Sequence, residues 1–362
     1  MYKTKAIKTI RDALIKDKNE AILITSEINQ RYFSGLNYTD GYVLILPESA
    51  YLLADFRYIE VAKRDVSEEL FNIVMPEGSM TAELERICKA EGIKKIYTEE
   101  EELSCGAFNR LASALAGVEL VGGASAEIVK IRAIKSPEEI AKMNEAQKIT
   151  DMAFEHILGF INYDRTELEV ALELEFFMRA HGAEGIAFET IAVSGTASSM
   201  PHGVPRDVKL ERGFLTMDFG AKFDGYCSDM TRTVVIGKAD EDIRRVYNTV
   251  LSAQRAALEI IAEGLPCRAA DKVARDIIYG AGYEGCFGHG LGHGVGMLVH
   301  EAPRLSSAAP ADSLLTPGHV VTVEPGIYLA GKYGCRIEDM VAIGEGGEIF
   351  NFTKSPKELI EI

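Results

Sequence analysis

The chain has 362 residues, more than one hydrophobic core usually organises, and its 47% hydrophobic and 26% charged residues describe a soluble globular protein rather than a disordered or fibrous one. A formal net charge of -16 would repel a phosphate backbone, which excludes nucleic acid as a general partner, although most of such an excess is solvated surface. The six cysteines, Cys88, Cys105, Cys227, Cys267, Cys286 and Cys335, form no CxxC pair and no dense framework, so they read as reduced thiols.

The N-terminal stretch MYKTKAIKTIRDALIKDK places Ile7, Ile10 and Leu14 on one helical face among lysines and lacks an apolar h-region or cleavage site. It is expected to be a domain's first helix. No apolar run approaches the ~20 residues that span a bilayer, so the expected location is the cytoplasm, with no membrane partner. From Ala21 onward, strand-like runs (AILIT, YVLIL, YLLAD, FNIVM, KKIYTEE) alternate with amphipathic stretches such as TAELERICKAEG, the rhythm of an α/β layer. The glycine-rich VGGAS at 121–125 breaks this rhythm. Two domains follow, 1–124 and 125–362, and the fold class is α/β (α+β).

Ser136-Pro137-Glu138-Glu139 reads as N-cap, first-turn proline and capping-box glutamate of a long helix. Helical periodicity continues through LEVALELEFFMRAHG, closed by Gly182, and through DEDIRRVYNTVLSAQRAALEIIAEG, closed by Gly264. Two strand regions, 212–237 and 317–344, form a weak internal repeat. Each runs from glycine through apolar residues to a carboxylate, turns through glycines, and returns with a second carboxylate. The carboxylates are Asp218 and Asp229 in one copy, Glu324 and Glu338 in the other. Single carboxylates at strand ends are ordinarily solvated charge. Two hairpins meeting about a pseudo-twofold would instead focus four on one point, where they cannot all stay ionised without a cation.

Three of the seven histidines fall in GHGLGHGVGMLVHE, at His289, His293 and His300. A lone histidine is more often a satisfied core or surface residue, but three in a glycine-dense segment suggest a site. No glutamate follows His289, so HExxH is absent, and the glycines make a helix costly by ~1 kcal/mol each. An extended or looped backbone is expected, and in a strand His289 and His293 would stand about 13 Å apart at ~3.3 Å per residue, too far to share one ion.

In order, DFGAKFDGYCSDMTRT, GHGLGHGVGMLVHEAPRLS, VEPGIY and RIEDM closely resemble the pita-bread metallopeptidases, specifically the Xaa-Pro branch of prolidases and aminopeptidases P. The resemblance covers essentially the whole chain. It implies an α/β N-terminal domain followed by a catalytic domain of two pseudo-symmetric α/β halves, and peptide substrates with proline at the second position. It further implies two divalent ions, with Asp218 holding one, Asp229 and Glu338 bridging both, and His293 and Glu324 holding the other. His202, in MPHG, and His300 are placed beside the substrate, Glu324 also shuttles a proton, and His289 and Tyr328 are candidate substrate contacts. Thr231, Tyr328 and Arg336 resemble groups that orient the ligands. Arg304, in the HExPR pattern, is ordinarily a surface arginine, but here resembles one that binds a substrate's C-terminal carboxylate. A homodimer in which the N-terminal domain shields a neighbouring active site is also implied. Leu298 departs from the branch, where the residue before Val299 is commonly acidic.

Four carboxylates and one imidazole form a hard donor set that favours Mn²⁺, with Co²⁺ or Zn²⁺ able to replace it. Two ions sharing a bridging water would supply a hydroxide nucleophile, Glu324 would carry its proton to the leaving nitrogen, and His300 would hydrogen-bond the oxyanion. The complete ligand set counts against a metal-free creatinase-like relative and against a non-catalytic pita-bread binding protein. The N-terminal domain and HExPR segment count against a methionine aminopeptidase. A dipeptidase is favoured over an aminopeptidase P acting on longer peptides.

Overall fold

The computed structural model describes residues 2–38 and 40–362. The chain divides into two compact units, the first ending at Arg132 and the second beginning at Ala133. The first contains α1 (Tyr2–Leu14), β1 (Glu20–Ile24), α2 (Glu27–Ser34), β2 (Tyr42–Ile45), β3 (Ala50–Leu53) and α3 (Ile59–Asp65). It continues with β4 (Asn72–Val74), α4 (Met80–Glu91), β5 (Lys95–Thr98), α5 (Cys105–Ala114), β6 (Glu119–Val121) and α6 (Ala124–Ala133). The strands form one mixed sheet in the order β4-β3-β2-β1-β5-β6. Its central strand β1 is buried at every position, which is why AILI is continuously apolar rather than alternating. Ile7 and Ile10 of α1 are buried as the helical face requires. Gly92 ends α4 in the left-handed conformation, where its N–H reaches the carbonyls of the last turn.

In the second unit the first half contains α7 (Pro137–Phe160), α8 (Glu167–Ala180), β7 (Gly185–Ile186), β8 (Ile191–Ser194), a 3₁₀ turn over Gly195–Ser199, and β9 (Gly213–Phe219). It closes with β10 (Ala221–Phe223), β11 (Tyr226–Cys227) and β12 (Met230–Ile236). The second half contains α9 (Glu241–Ile260), α10 (Cys267–Gly280), β13 (Gly292–Gly294), β14 (Glu301–Leu305) and β15 (Val320–Val323). It ends with β16 (Gly326–Leu329), β17 (Tyr333–Arg336), β18 (Asp339–Ile343) and β19 (Ile349–Asn351). The capping box predicted for α7 is complete. The Ser136 hydroxyl accepts from the Glu139 N–H at 3.3 Å, and the Glu139 carboxylate accepts from the Ser136 N–H at 2.8 Å. The division at Arg132 falls eight residues after the expected 124, because α6 packs with the first unit, and one predicted helix end also moves. α9 stops at Ile260 rather than at Gly264, because Ile261 turns extended to bury its side chain, and Gly264 then donates to the Leu315 carbonyl at 2.8 Å.

Each half pairs two helices with an antiparallel sheet, β12-β9-β8 in the first and β14-β13-β15-β18-β19 in the second. Each buries its own core, around Phe154, Leu174, Met217 and Val234 in one and Val250, Ala274, Val321 and Val341 in the other. Both halves insert a small hairpin between two long paired strands: β10–β11 between β9 and β12, and β16–β17 between β15 and β18. This is the pita-bread arrangement. Among the described residues no helix is long and apolar enough to cross a membrane.

The halves join where β12 meets β18. The Glu338 N–H donates to the Thr231 carbonyl at 3.1 Å, and the buried Arg232 guanidinium donates to the carbonyls of Thr231 at 3.0 Å and Glu338 at 2.5 Å. Asp339, fully buried, pairs with Arg232 at 2.9 Å and with Lys357 at 2.6 Å. Burial alone would raise the Asp339 carboxyl, but these two cations hold it below its ordinary range. Asp339→Asn leaves Arg232 buried without its counter-charge, a change that costs ~3–5 kcal/mol. The expected fall in the unfolding midpoint is roughly 6–20 °C, read by circular dichroism, and a shift under about 2 °C would show that this pair does not hold the halves together.

Candidate metal centre

Asp218 lies on β9 opposite Thr231 of β12, and Asp229 directly precedes β12. Glu324 directly follows β15 and Glu338 directly precedes β18. The inserted hairpins therefore return each second carboxylate to the strand end that holds the first. His293 sits on β13, next to β15 in the same sheet. Ligand atoms of Asp229, His293 and Glu338, all buried, lie within 4.8 Å of one another. His293 Nε2 stands 3.1 Å from Glu324 Oε1 and 3.6 Å from Asp229 Oδ2. Asp218 faces the same cavity. All five residues singled out as ligands thus converge.

The glycines of the histidine segment have a specific steric reason. A Cβ at Gly292 would collide with the Thr322 carbonyl of β15, and one at Gly294 with the Ala302 carbonyl of β14. Their absence lets three strands close around His293. The segment is not helical: Gly292–Gly294 form strand β13 and bends carry the chain on to His300, in keeping with the extended or looped backbone expected from the glycines.

Surrounding donors fix the cluster. Arg336 donates to Asp218 Oδ2 at 2.6 Å, to the Thr231 hydroxyl at 2.9 Å and to the Tyr328 hydroxyl at 2.7 Å. The Thr231 hydroxyl donates to Glu338 Oε2 at 2.7 Å. Tyr328 also lies 2.9 Å from His289 Nε2, so it stands between Arg336 and that histidine. Three contributors carried no motif signal. Thr322 accepts from the His293 N–H and donates to Glu324 Oε1, both at 3.1 Å; only its place two residues before Glu324, on the same strand face, could have marked it. Asp271 and Arg275 read as an ordinary helical i,i+4 pair, yet Arg275 donates to the carbonyls of Phe287 at 2.7 Å and His289 at 2.8 Å while Asp271 accepts from the Leu291 N–H at 3.1 Å. Together they clamp the backbone that carries His289.

The donor set fits a cation. Asp218 Oδ1 and Glu338 Oε1 are buried oxygens without a hydrogen-bond partner among the described residues. With His293 Nδ1 against the Gly294 carbonyl at 3.1 Å, the Nε2 lone pair faces two carboxylates, an arrangement that calls for positive charge between them. Burial, then mutual repulsion, raises the Asp229 and Glu338 carboxyls well above their ordinary range. Asp218 is also raised, by burial first and despite Arg336. Glu324 differs: burial pushes it up, but His293, His289 and Arg336 bring it down to about 2.

The cluster opens into a cavity of about 800 Å³. Phe188, Ile191, Pro201, Val204 and Val299 supply apolar wall, and His202, His289, His300 and Arg304 also line it. His202 comes from a loop tied down by the buried Glu167, whose carboxylate pairs with Arg206 at 2.7 Å and accepts from the Ser194 N–H at 2.7 Å. The His300 ring stands 4.3 Å from that of His293, and burial lowers it to about 4, so it is neutral near pH 7. Glu301 beside it is held by a buried ion pair with Lys135 at 3.1 Å and accepts from the Leu298 N–H at 3.0 Å. The Leu298 side chain is exposed and lies away from the cavity lining.

The model of metallopeptidase family M24 matches residues 141–345, and that of the creatinase/prolidase N-terminal domain matches residues 7–134. The chain is 43% identical to peptidase YqhT of Bacillus subtilis over 94% of this chain and 95% of that one. It is 37% identical to an Xaa-Pro dipeptidase of Pyrococcus horikoshii over 98% of each. Among solved structures, an Xaa-Pro dipeptidase from Bacillus anthracis superposes with a TM-score of 0.94 at 40% identity, over 99% of this chain and 100% of that one. An X-Pro aminopeptidase from Thermotoga maritima superposes with a TM-score of 0.89 at 37% identity, over 95% and 97%. With its buried carboxylate–imidazole cluster and two matched domains, the chain is a peptidase belonging to metallopeptidase family M24.

Proposed function

We propose that the protein hydrolyses the Xaa-Pro bond of dipeptides in the cytoplasm, using two divalent ions, preferentially Mn²⁺. Asp218 would hold one ion, Asp229 and Glu338 both, and His293 and Glu324 the other. Bound there, the ions would supply an activated water and polarise the scissile carbonyl. Glu324 is the proton carrier, taking a proton during attack and delivering it to the leaving nitrogen. The nitrogen leaves as a neutral amine only once protonated, which that delivery supplies; proline nitrogen has no N–H in the peptide, so its recognition rests on ring shape and on the substrate's ends. A neutral His300 donates to the developing oxyanion, and His202 and His289, with Tyr328 behind it, orient the substrate. The apolar wall suits a proline ring.

The dipeptide assignment is carried by one observation. Arg304, on β14 directly opposite His293, lines the cavity and engages no ion pair among the described residues. A planar guanidinium beside the cluster suits the carboxylate that a dipeptide carries on its proline. The relatives described as Xaa-Pro dipeptidases support the same substrate class. The likeness to an X-Pro aminopeptidase supports a second reading, cleavage of longer Xaa-Pro peptides.

Elemental analysis of the purified protein should find two divalent ions per chain, and chelation should abolish hydrolysis; full activity in a rigorously metal-free preparation would overturn the mechanism. Glu324→Gln should eliminate turnover while circular dichroism shows an intact fold. His300→Ala should lower kcat by roughly 10²- to 10³-fold, the loss of one transition-state hydrogen bond worth about 3–4 kcal/mol, and an unchanged kcat would remove the oxyanion role. Arg304→Ala or Arg304→Lys should reduce kcat/KM for Xaa-Pro by roughly tenfold to a hundredfold more than for Xaa-Pro-Xaa. Equal losses on both, or wild-type preference for the tripeptide, would move the assignment to the aminopeptidase.

A further inference from the structure

We infer that Lys135 is a positioning residue for the hydrolysis: its buried ion pair with Glu301 fixes the turn that presents His300, and so governs kcat. The assignment rests on the oxyanion role proposed for His300 and extends it to a residue outside the cavity lining. The His300 ring makes an edge contact with His293 but engages no hydrogen bond among the described residues, so its place is set by the backbone that carries it.

Strand pairing holds both ends of that backbone. The Val295 N–H donates to the Val320 carbonyl at 3.1 Å, and Glu301, the first residue of β14, lies opposite Gly294 on β13. Between them the chain runs in bends, with Leu298 and His300 exposed. Two local contacts close the turn. The Gly296 N–H donates to the Leu298 carbonyl at 3.0 Å, and the Glu301 carboxylate folds back to accept from the Leu298 N–H at 3.0 Å. A Cβ at Gly296 would collide with that carboxylate, so the glycine makes room for it.

The other carboxylate oxygen, Oε2, meets Lys135 Nζ at 3.1 Å, and the side chains are 1% exposed for Lys135 and 7% for Glu301. Lys135 is itself pinned by its backbone. Its N–H donates to the Gly318 carbonyl at 2.8 Å, and the next residue, Ser136, caps α7. The position of α7 is thereby passed through one ion pair to the turn that carries His300. A buried ion pair gains little stability over a neutral pair of similar shape, because desolvation offsets the attraction. What it adds here is direction: Lys135 holds Oε2 and leaves Oε1 aimed at the Leu298 N–H. Misplacing a reacting group by about 1 Å costs roughly 10²-fold in rate, so an oxyanion donor on exposed bends needs such an anchor.

The test replaces the ion pair by a neutral one, Lys135→Met with Glu301→Gln, which leaves no buried charge uncompensated and keeps an acceptor for the Leu298 N–H. The metal-loaded wild type, this paired variant, His300→Ala and all three substitutions together are compared for kcat and KM on Ala-Pro. Amide hydrogen exchange over residues 296–300 is read on the same proteins by mass spectrometry. The paired variant should unfold at a temperature close to that of the wild type. It should lower kcat by about tenfold to a hundredfold with KM changed less than about threefold, and exchange should quicken over 296–300 but not in β15 or β18. Added to His300→Ala, it should slow turnover by no more than about twofold further, because a misplaced donor and an absent one lose the same interaction. An unchanged kcat in the paired variant, or a loss that multiplies with that of His300→Ala, would overturn the positioning role and leave the dipeptidase activity standing. So would a lowered unfolding temperature with faster exchange throughout the catalytic unit, which would make the pair a stabilising contact only. An unchanged kcat in His300→Ala, or a wild type inert toward Ala-Pro, would overturn this assignment together with the reading it rests on.

Discussion

Bringing Asp218, Asp229, Glu324 and Glu338 to one point in a buried space is the constraint around which the catalytic unit is organised. Like charges in a poorly solvated interior repel strongly, and no amount of apolar packing offsets that. The structure meets part of the demand with protein donors: Arg336 on Asp218, Thr231 on Glu338, and Thr322 and His293 on Glu324. It leaves Asp218 Oδ1 and Glu338 Oε1 unmet. A partly satisfied anionic cluster of this kind is stable in a folded protein when cations complete it, which is the physical content of the proposed metal centre.

The duplicated architecture follows from the same constraint. Each half carries a helix pair on an antiparallel sheet and delivers two carboxylates from the ends of paired strands. The seam between the halves must then be rigid, since movement there would separate the ligands. Arg232 and Asp339 provide that rigidity from a fully buried position one residue away from Thr231 and Glu338. Hydrogen bonds from Arg232 to the carbonyls of those two neighbours tie the ion pair to the cluster itself.

Around this fixed centre, the groups proposed to meet the substrate are arranged differently. His202, His300 and Arg304 are exposed along the cavity rather than locked into the interior. Their side chains are free to exchange water for ligand, while their backbones are held by Glu167, by the Lys135–Glu301 pair and by strand register. A rigid cluster with open groups along the cavity suits a peptidase, whose chemistry needs fixed geometry while its recognition groups must exchange water for substrate.

The strands from Ala21 to Thr98, the capping box at Ser136, the hairpin repeat and the non-helical, glycine-rich histidine segment were all legible in the sequence, because each depends on interactions within a few residues or on a periodic apolar pattern. The four ordered motifs also marked the family and the five converging residues. Other features depend on distant partners. The end of α9 at Ile260 is set by where Ile261 finds a core. Thr322 and the Asp271–Arg275 pair look ordinary until the fold places His293, Glu324 and the His289 backbone against them. Local chemistry determined which residues could form the centre; long-range packing alone decided which others would hold it in place and face what enters it.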